Sequence, residues 1–128
     1  MNPCIAAIVV TACLEATVIG VHDGDTLTVR LAGHRETIRL TSIDAPELPP
    51  RARCASERGR AMAARDALAG LLPETTSVKL WVNPGRRRDR YGRLLADVAT
   101  GPIDTGEFLL QRGLARPYRG GKRGGWCR

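Results

Sequence analysis

The spacing of apolar and polar residues along the chain predicts three consecutive short strands, a helix, two further strands and a closing helix. From Glu15 to Val21 the β-branched run Thr17-Val18-Ile19, with Val21, reads as a strand, and Leu27 to Leu31 alternates as its hairpin partner. Ala32-Gly33-His34-Arg35 makes the next turn. Glu36 to Leu40 is a third strand, with Thr37 and Arg39 on one face and Ile38 and Leu40 on the other. Proline then interrupts the ladder, so Ile43-Asp44-Ala45-Pro46-Glu47 and Leu48-Pro49-Pro50 form an irregular loop. Ser56 is placed to cap a helix reaching about Leu72, because Ala61, Ala64, Leu68, Leu71 and Leu72 recur at helical spacing before Pro73. Ser77 to Val82 and Leu94 to Ala99 are the fourth and fifth strands, joined through the turn Asn83-Pro84-Gly85, with Trp81 expected in the core. Beyond Gly101-Pro102, Asp104 or Thr105 caps a second helix that ends before Gly113 and turns Ile103, Phe108 and Leu109 inward. The tail from Arg116 is rich in glycine and arginine, and a long third helix after Tyr118 is not expected.

Helices do not alternate with every strand in this order, which favours a small curled sheet over a parallel one. The expected fold is therefore mainly β with helices: a five-stranded OB-fold β-barrel with two to three packed α-helices. The 128 residues are sized for a single domain, 1–128, with a core from about 15 to 118 and cysteine-bearing extensions at both ends. Ile5 to Ala12 is apolar but too short to cross a bilayer, and no membrane span is expected. Val10-Thr11-Ala12-Cys13 is similar to a lipoprotein cleavage box, but the missing basic region before it and the strand that follows argue against that reading.

Charge narrows the class of partner. The net charge is +7, and 18 of the 20 cationic side chains are arginine, whose planar fork suits phosphate oxygens. A polyanionic partner is favoured over a basic surface kept for solubility. Aromatic residues make up only 4% of the chain, which disfavours a module that reads single-stranded sequence by base stacking. Cys4, Cys13, Cys54 and Cys127 contain no Cys-x-x-Cys pair, and both histidines lie far from them, so a zinc site is not expected. The even count favours disulfides in an oxidising compartment, hence a secreted or periplasmic protein, with a cytoplasmic protein carrying reduced thiols as the alternative. Three connectivities are open; Cys4 with Cys13 and Cys54 with Cys127 would close an N-terminal loop and tie a helix start to the chain end.

The candidate chemistry lies in four acids on turns and loops. Asp23, Asp25, Asp44 and Glu47 can converge at one barrel mouth, and oxygen-only ligands select a hard cation such as Ca2+ or Mg2+. Arg39 leads directly into the Asp44 loop, and Arg93 precedes the fifth strand. Arginines beside an acid-lined cation are what phosphoryl chemistry uses to stabilise charge on phosphate oxygens while a carboxylate orients a water. Arg86-Arg87-Arg88 can extend a phosphate groove, and neither His22 nor His34 is expected to act in catalysis.

Asp23-Gly24-Asp25-Thr26, Arg39-Leu40 with Asp44-Ala45-Pro46-Glu47, Asp89-Arg90-Tyr91-Gly92-Arg93 and Gly113-Leu114-Ala115-Arg116, in this order, resemble the staphylococcal nuclease (thermonuclease) family. The resemblance spans about Thr17 to Tyr118. It implies an OB-fold enzyme that hydrolyses DNA and RNA, preferably single-stranded, with Ca2+ and leaves 3′-phosphates. It further implies that Asp25, Asp44 and the backbone carbonyl of Ala45 ligate the ion, with Asp23 in the outer sphere. Glu47 would hold the attacking water, Arg39 and Arg93 would grip the scissile phosphate, and Arg90, Tyr91 and Tyr118 would contact the substrate nearby. Ala45 replaces a threonine, and Arg90 a lysine, of the family's best-known member; neither change removes a carbonyl ligand or a cation. A monomer is expected. The rival reading is a catalytically silent OB-type module that binds nucleic acid or protein.

Overall fold

The computed structural model describes residues 13–127. The expectations for the run from Ile5 to Ala12 and for Cys4 lie outside them. Five strands carry the fold: β1 (Cys13–Asp23), β2 (Thr26–Leu31), β3 (His34–Leu40), then, after the two-residue β4 (Ile43–Asp44) and helix α1 (Ala55–Leu71), β5 (Ser77–Val82) and β6 (Leu94–Thr100). A short β7 (Ile103–Asp104), helix α2 (Thr105–Gln111) and β8 (Arg116–Pro117) complete the described elements.

The strands run in the order β3-β2-β1-β5-β6, and β3 also pairs with β6, which closes the sheet into a five-stranded barrel. Neighbours are antiparallel except at that closure, where Ile38, Arg39 and Leu40 lie parallel to Leu94, Leu95 and Ala96. The register of β1 on β2 shifts between Val18 and Gly20 and again between Val21 and Asp23. Such bulges bend a strand and increase its twist, which lets one long strand serve a small barrel.

Alternation accounts for the interior. Val78, Leu80 and Val82 of β5 face inward and meet Ala96 and Val98 of β6, Ala16 and Val18 of β1, Leu27 and Val29 of β2, and Ile38 and Leu40 of β3. Trp81, expected inside, stands on the opposite face of β5 and is half-buried, because period-two alternation leaves room inside for Leu80 and Val82 only. Helix α1 closes one opening with Ala61, Ala64 and Leu68, and α2 contributes Leu109. Asp104 caps α2 by accepting from the Glu107 N–H at 2.8 Å. Ile103 is exposed rather than turned inward, because it pairs with Thr100 in the terminal ribbon before α2 begins. Helix α1 starts earlier than Ser56 predicts: Cys54 is its N-cap, and its Sγ accepts from the Glu57 N–H. After β8 the tail to 127 contains neither helix nor strand. Among the described residues, no helix is long and apolar enough to cross a membrane.

One glycine positions the barrel mouth. Gly24 is buried in the turn between β1 and β2, and a Cβ there would lie 2.7 Å from Ala64 Cβ and 2.9 Å from Ala45 Cβ. The turn is thus wedged between α1 and the loop after β4, and close approach requires the glycine. Gly24→Ala is expected to cost about 1–3 kcal/mol through overpacking. Urea unfolding should show part of that loss recovered when Ala64→Gly is added.

Candidate functional site

The register of β2 on β3 sets the site, because it pairs Thr26 with Arg39 and so brings Arg39 beside Asp25. Ile38 and Leu40 anchor β3 in the core, yet Arg39 is itself buried. Its guanidinium approaches Asp25 Oδ2 at 3.4 Å through Nη2, while Nη1 donates to the carbonyls of Leu40 and of Ile43, the latter at 3.1 Å. Asp25 in turn accepts from the Ala45 N–H at 3.3 Å and, through its other oxygen, from Thr26 Oγ1 at 3.0 Å. One buried carboxylate therefore joins the opening turn, the strand carrying Arg39 and the loop that follows Asp44 of β4.

Asp23 faces the same region under harsher electrostatics. Burial, and then the neighbouring Asp25 carboxylate, push its pKa up to about 7, although its Oδ1 accepts from the Asp25 N–H at 3.1 Å. Across the mouth, Arg93 is held by Asp89 at 2.7 Å and reaches Thr26 Oγ1 at 3.4 Å. Burial works against the Asp89 charge, but the Arg93 side chain and the Arg93 and Tyr91 N–H groups hold its pKa below the ordinary aspartate value. Tyr91 is exposed, with the guanidinium carbons of Arg90 and Arg93 at 5.0 and 5.4 Å from its ring centre. Arg90 also donates to the Tyr91 hydroxyl oxygen at 2.9 Å.

These groups line one cleft of about 640 Å3, to which Asp23, Asp25, Arg39, Glu47, Arg90, Tyr91, Arg93 and Tyr118 all contribute. Asp44 lies behind its wall, buried, where Arg123 Nη1 and Trp126 Nε1 each donate to one of its oxygens at 3.1 and 3.4 Å. The sequence-predicted residues are thus gathered at one end of the barrel. The acids do not form a closed cage: among the described residues, no three His, Cys, Asp or Glu side chains are grouped as a metal would need. Of the arginine run, Arg86 reaches the cleft, but Arg88 is tied away from it by Glu36 at 2.9 and 3.0 Å and by the Gly92 carbonyl. His22 hydrogen-bonds Thr28 Oγ1.

A model of the family described as staphylococcal nuclease homologue matches residues 37–124, well over half of the chain. The chain belongs to this family. Among its relatives, Endonuclease YncB of Bacillus subtilis is 36% identical over 94 residues, which are 73% of this chain and 43% of that protein. The SPbeta prophage-derived endonuclease YokF of the same organism is 37% identical over 94 residues, 73% of this chain and 31% of YokF. An uncharacterized endonuclease of Escherichia coli O157:H7 is 32% identical over 111 residues, 86% of this chain and 65% of that protein. The chain spans less than half the length of the two Bacillus relatives. The stretch matched to the nuclease family begins inside β3, so the Asp23-Gly24-Asp25 turn precedes it and is tied to it by the Arg39 contact.

Two residues that sequence reasoning passed over complete the site. Glu57 is fully buried at the start of α1, where one carboxylate oxygen accepts from the Glu47 N–H and the other from the Arg53 N–H, both at 3.0 Å. Its only signal in the sequence is an acid in a first helical turn. Arg123, in a glycine-rich tail, carries no local signal, and the fold brings it across 79 residues to Asp44.

Glu57 makes the loop before α1 part of the folded unit. Burial opposes its charge, yet the N–H groups of Glu47 and Arg53 and the Arg53 guanidinium hold its pKa below the ordinary glutamate value near 4.5. A depressed carboxylate contributes stability above its unfolded-state pKa and loses it as pH falls through the folded value. Glu57→Gln is expected to cost about 1–3 kcal/mol at neutral pH by leaving a buried donor without an acceptor. Urea unfolding should show that deficit narrowing as pH drops below 4.5.

Proposed function

We propose that this chain is a nuclease that hydrolyses phosphodiester bonds of DNA and RNA with little sequence specificity, assisted by Ca2+. The observation that carries this reading is one cleft in which Asp25, Glu47, Arg39 and Arg93 come together. Relatives named as endonucleases support it. A silent binding module would have no use for acids and arginines so arranged.

The donor set fits a hard cation. Asp25 Oδ2 touches the backbone between Asp44 and Pro46 through the Ala45 N–H, so carboxylates and peptide oxygens adjoin, and the Arg123 guanidinium already stands as a cation against Asp44. Asp25, Asp44 and the Ala45 carbonyl would hold Ca2+, with Asp23 in the outer sphere. When bound, the ion supplies Lewis-acid stabilisation of the charge that gathers on phosphate oxygens.

The protein's own groups carry the remaining steps. Glu47 accepts a proton from water as its oxygen forms a bond to phosphorus. The bond from phosphorus to the 5′ oxygen breaks, and that oxygen takes a proton from solvent water and leaves as a hydroxyl, so the products are a 3′-phosphate and a 5′-hydroxyl. Arg39 and Arg93 stabilise the negative charge on the equatorial oxygens; their forks are oriented in advance by Asp25 and Asp89, which limits reorganisation during reaction. Arg90, Tyr91 and Tyr118 hold the neighbouring phosphate and sugar along the cleft, and an exposed Tyr91 ring offers a stacking face that suits single strands. The chain is proposed to act as a monomer. The bridge between Cys54 and Cys127 supports a secreted or periplasmic setting.

Hydrolysis of single-stranded DNA should vanish with a calcium chelator and return with added Ca2+, with Arg39→Ala inactive throughout as a control for contaminating nuclease. Activity indifferent to chelation would remove the metal role. Glu47→Gln should lower kcat by about 10²–10⁴-fold while KM changes little, as expected for lost general-base assistance. Equal losses in turnover and substrate affinity would make Glu47 a structural acid instead.

A further inference from the structure

The tail after β8 returns across the acid site. Arg123 Nη1 donates to Asp44 Oδ1 and to Glu47 Oε2, both at 3.1 Å. With Trp126 Nε1 on Asp44 Oδ2, both oxygens of Asp44 are engaged by the tail. The tail is anchored on each side of Arg123. Tyr118 donates its N–H to the Ser42 carbonyl at 2.9 Å and its hydroxyl to the Gly121 carbonyl at 2.7 Å. Trp126 is buried with the Arg116 guanidinium 3.7 Å from its ring centre, and Cys127 is bridged to Cys54 at the N-cap of α1. Gly124 passes beside the end of the Arg116 side chain, whose Nη1 would lie 2.9 Å from a Cβ there.

We propose that Arg123 is a resident counter-cation of the acid site, delivered by the disulfide-tethered tail, and that it competes with Ca2+ for Asp44. The inference rests on the nuclease reading above and names a regulation of that same site. Arg123 and a divalent ion cannot share one Asp44 oxygen without charge repulsion, so binding of the ion requires the guanidinium to withdraw. The same nitrogen also occupies Glu47 Oε2, the carboxylate assigned to the attacking water. Asp44 is buried while the Arg123 side chain is 41% exposed, so the arginine is the partner free to swing toward solvent. A phosphate-gripping role fits less well, because its Nη1 is spent on two carboxylates. The tail thus holds the site capped when Ca2+ is scarce and opens it when the ion displaces Arg123.

Calorimetric titration of CaCl2 into the intact chain tests this without reference to turnover. Arg123→Ala should tighten Ca2+ binding by about tenfold, the scale expected from releasing two partly exposed ion pairs. Arg30→Ala, which removes one positive charge at an exposed position of β2, should change it far less. Cys127→Ser, which unties the tail, should shift affinity in the same direction as Arg123→Ala; no shift there would remove the tether from the proposal. Unchanged or weaker binding in Arg123→Ala would overturn it and make Arg123 an organiser of the acids. If neither wild type nor Arg123→Ala binds Ca2+, the calcium reading fails and the competition fails with it, an outcome distinct from measurable binding that Arg123 leaves unaltered.

Discussion

Asp25 is a carboxylate buried two residues from another acid, and the rest of the site follows from its need for compensation. Burial penalises its charge and Asp23 adds repulsion, so the fold must supply positive charge and N–H donors at close range. Arg39 provides the charge, and the Ala45 N–H and Thr26 hydroxyl provide the hydrogen bonds. Arg39 can do so only because β2 and β3 pair in one register, and that register is enforced by the burial of Leu27, Ile38 and Leu40. A one-residue slip would turn Arg39 to the other face and put those apolar side chains into water. The hydrophobic core therefore fixes the electrostatics of the mouth.

The loop between β4 and α1 poses a different problem. Pro46, Pro49 and Pro50 contribute no N–H, so the segment cannot join a ladder, yet it must hold Glu47 at the cleft. Glu57 substitutes for the missing secondary structure. Its carboxylate reaches back from α1 to two N–H groups of the loop, while Cys54 caps the helix and ties the same corner to the tail. The packing of α1 against the barrel thereby reaches the placement of Glu47 through one buried charge.

Most of the barrel was legible because its signals are local. Period-two alternation marked the five strands, Gly101 closed the fifth of them, and Pro73 and Gly113 punctuated the helices where they end. The errors arose where tertiary context overrides local preference. Cys54 serves as cap ahead of Ser56 because the bridge to Cys127 fixes its position, and Trp81 yields the interior to the smaller side chains beside it. Asp25, Arg39, Glu47 and Arg93 were legible as a set of residue types. Their mutual geometry was not, since Arg39 and Asp25 meet through strand register rather than through spacing. Glu57 and Arg123 escaped for the same reason: an acid in a first helical turn is ordinary, and a tail arginine among many others has no pattern.

The surplus of arginine also divides once the contacts are known. Arg39, Arg88 and Arg93 are each held by a carboxylate, whereas Arg51, Arg86 and Arg119 line the cleft without an ion pair among those formed by the described residues. A net charge of +7 therefore overstates uniformity. In the proposed reaction the cleft-lining cations supply the long-range attraction that gathers a polyanion and weakens with salt, while Arg39 and Arg93 offer forks already fixed in direction. Fixing costs attraction, because each paired carboxylate cancels part of the field. What it secures is alignment at the one phosphate that reacts, where preorganised donors matter more than total charge. Arg123 belongs to neither group, since its carboxylate partners are the very residues proposed to hold the ion and the water.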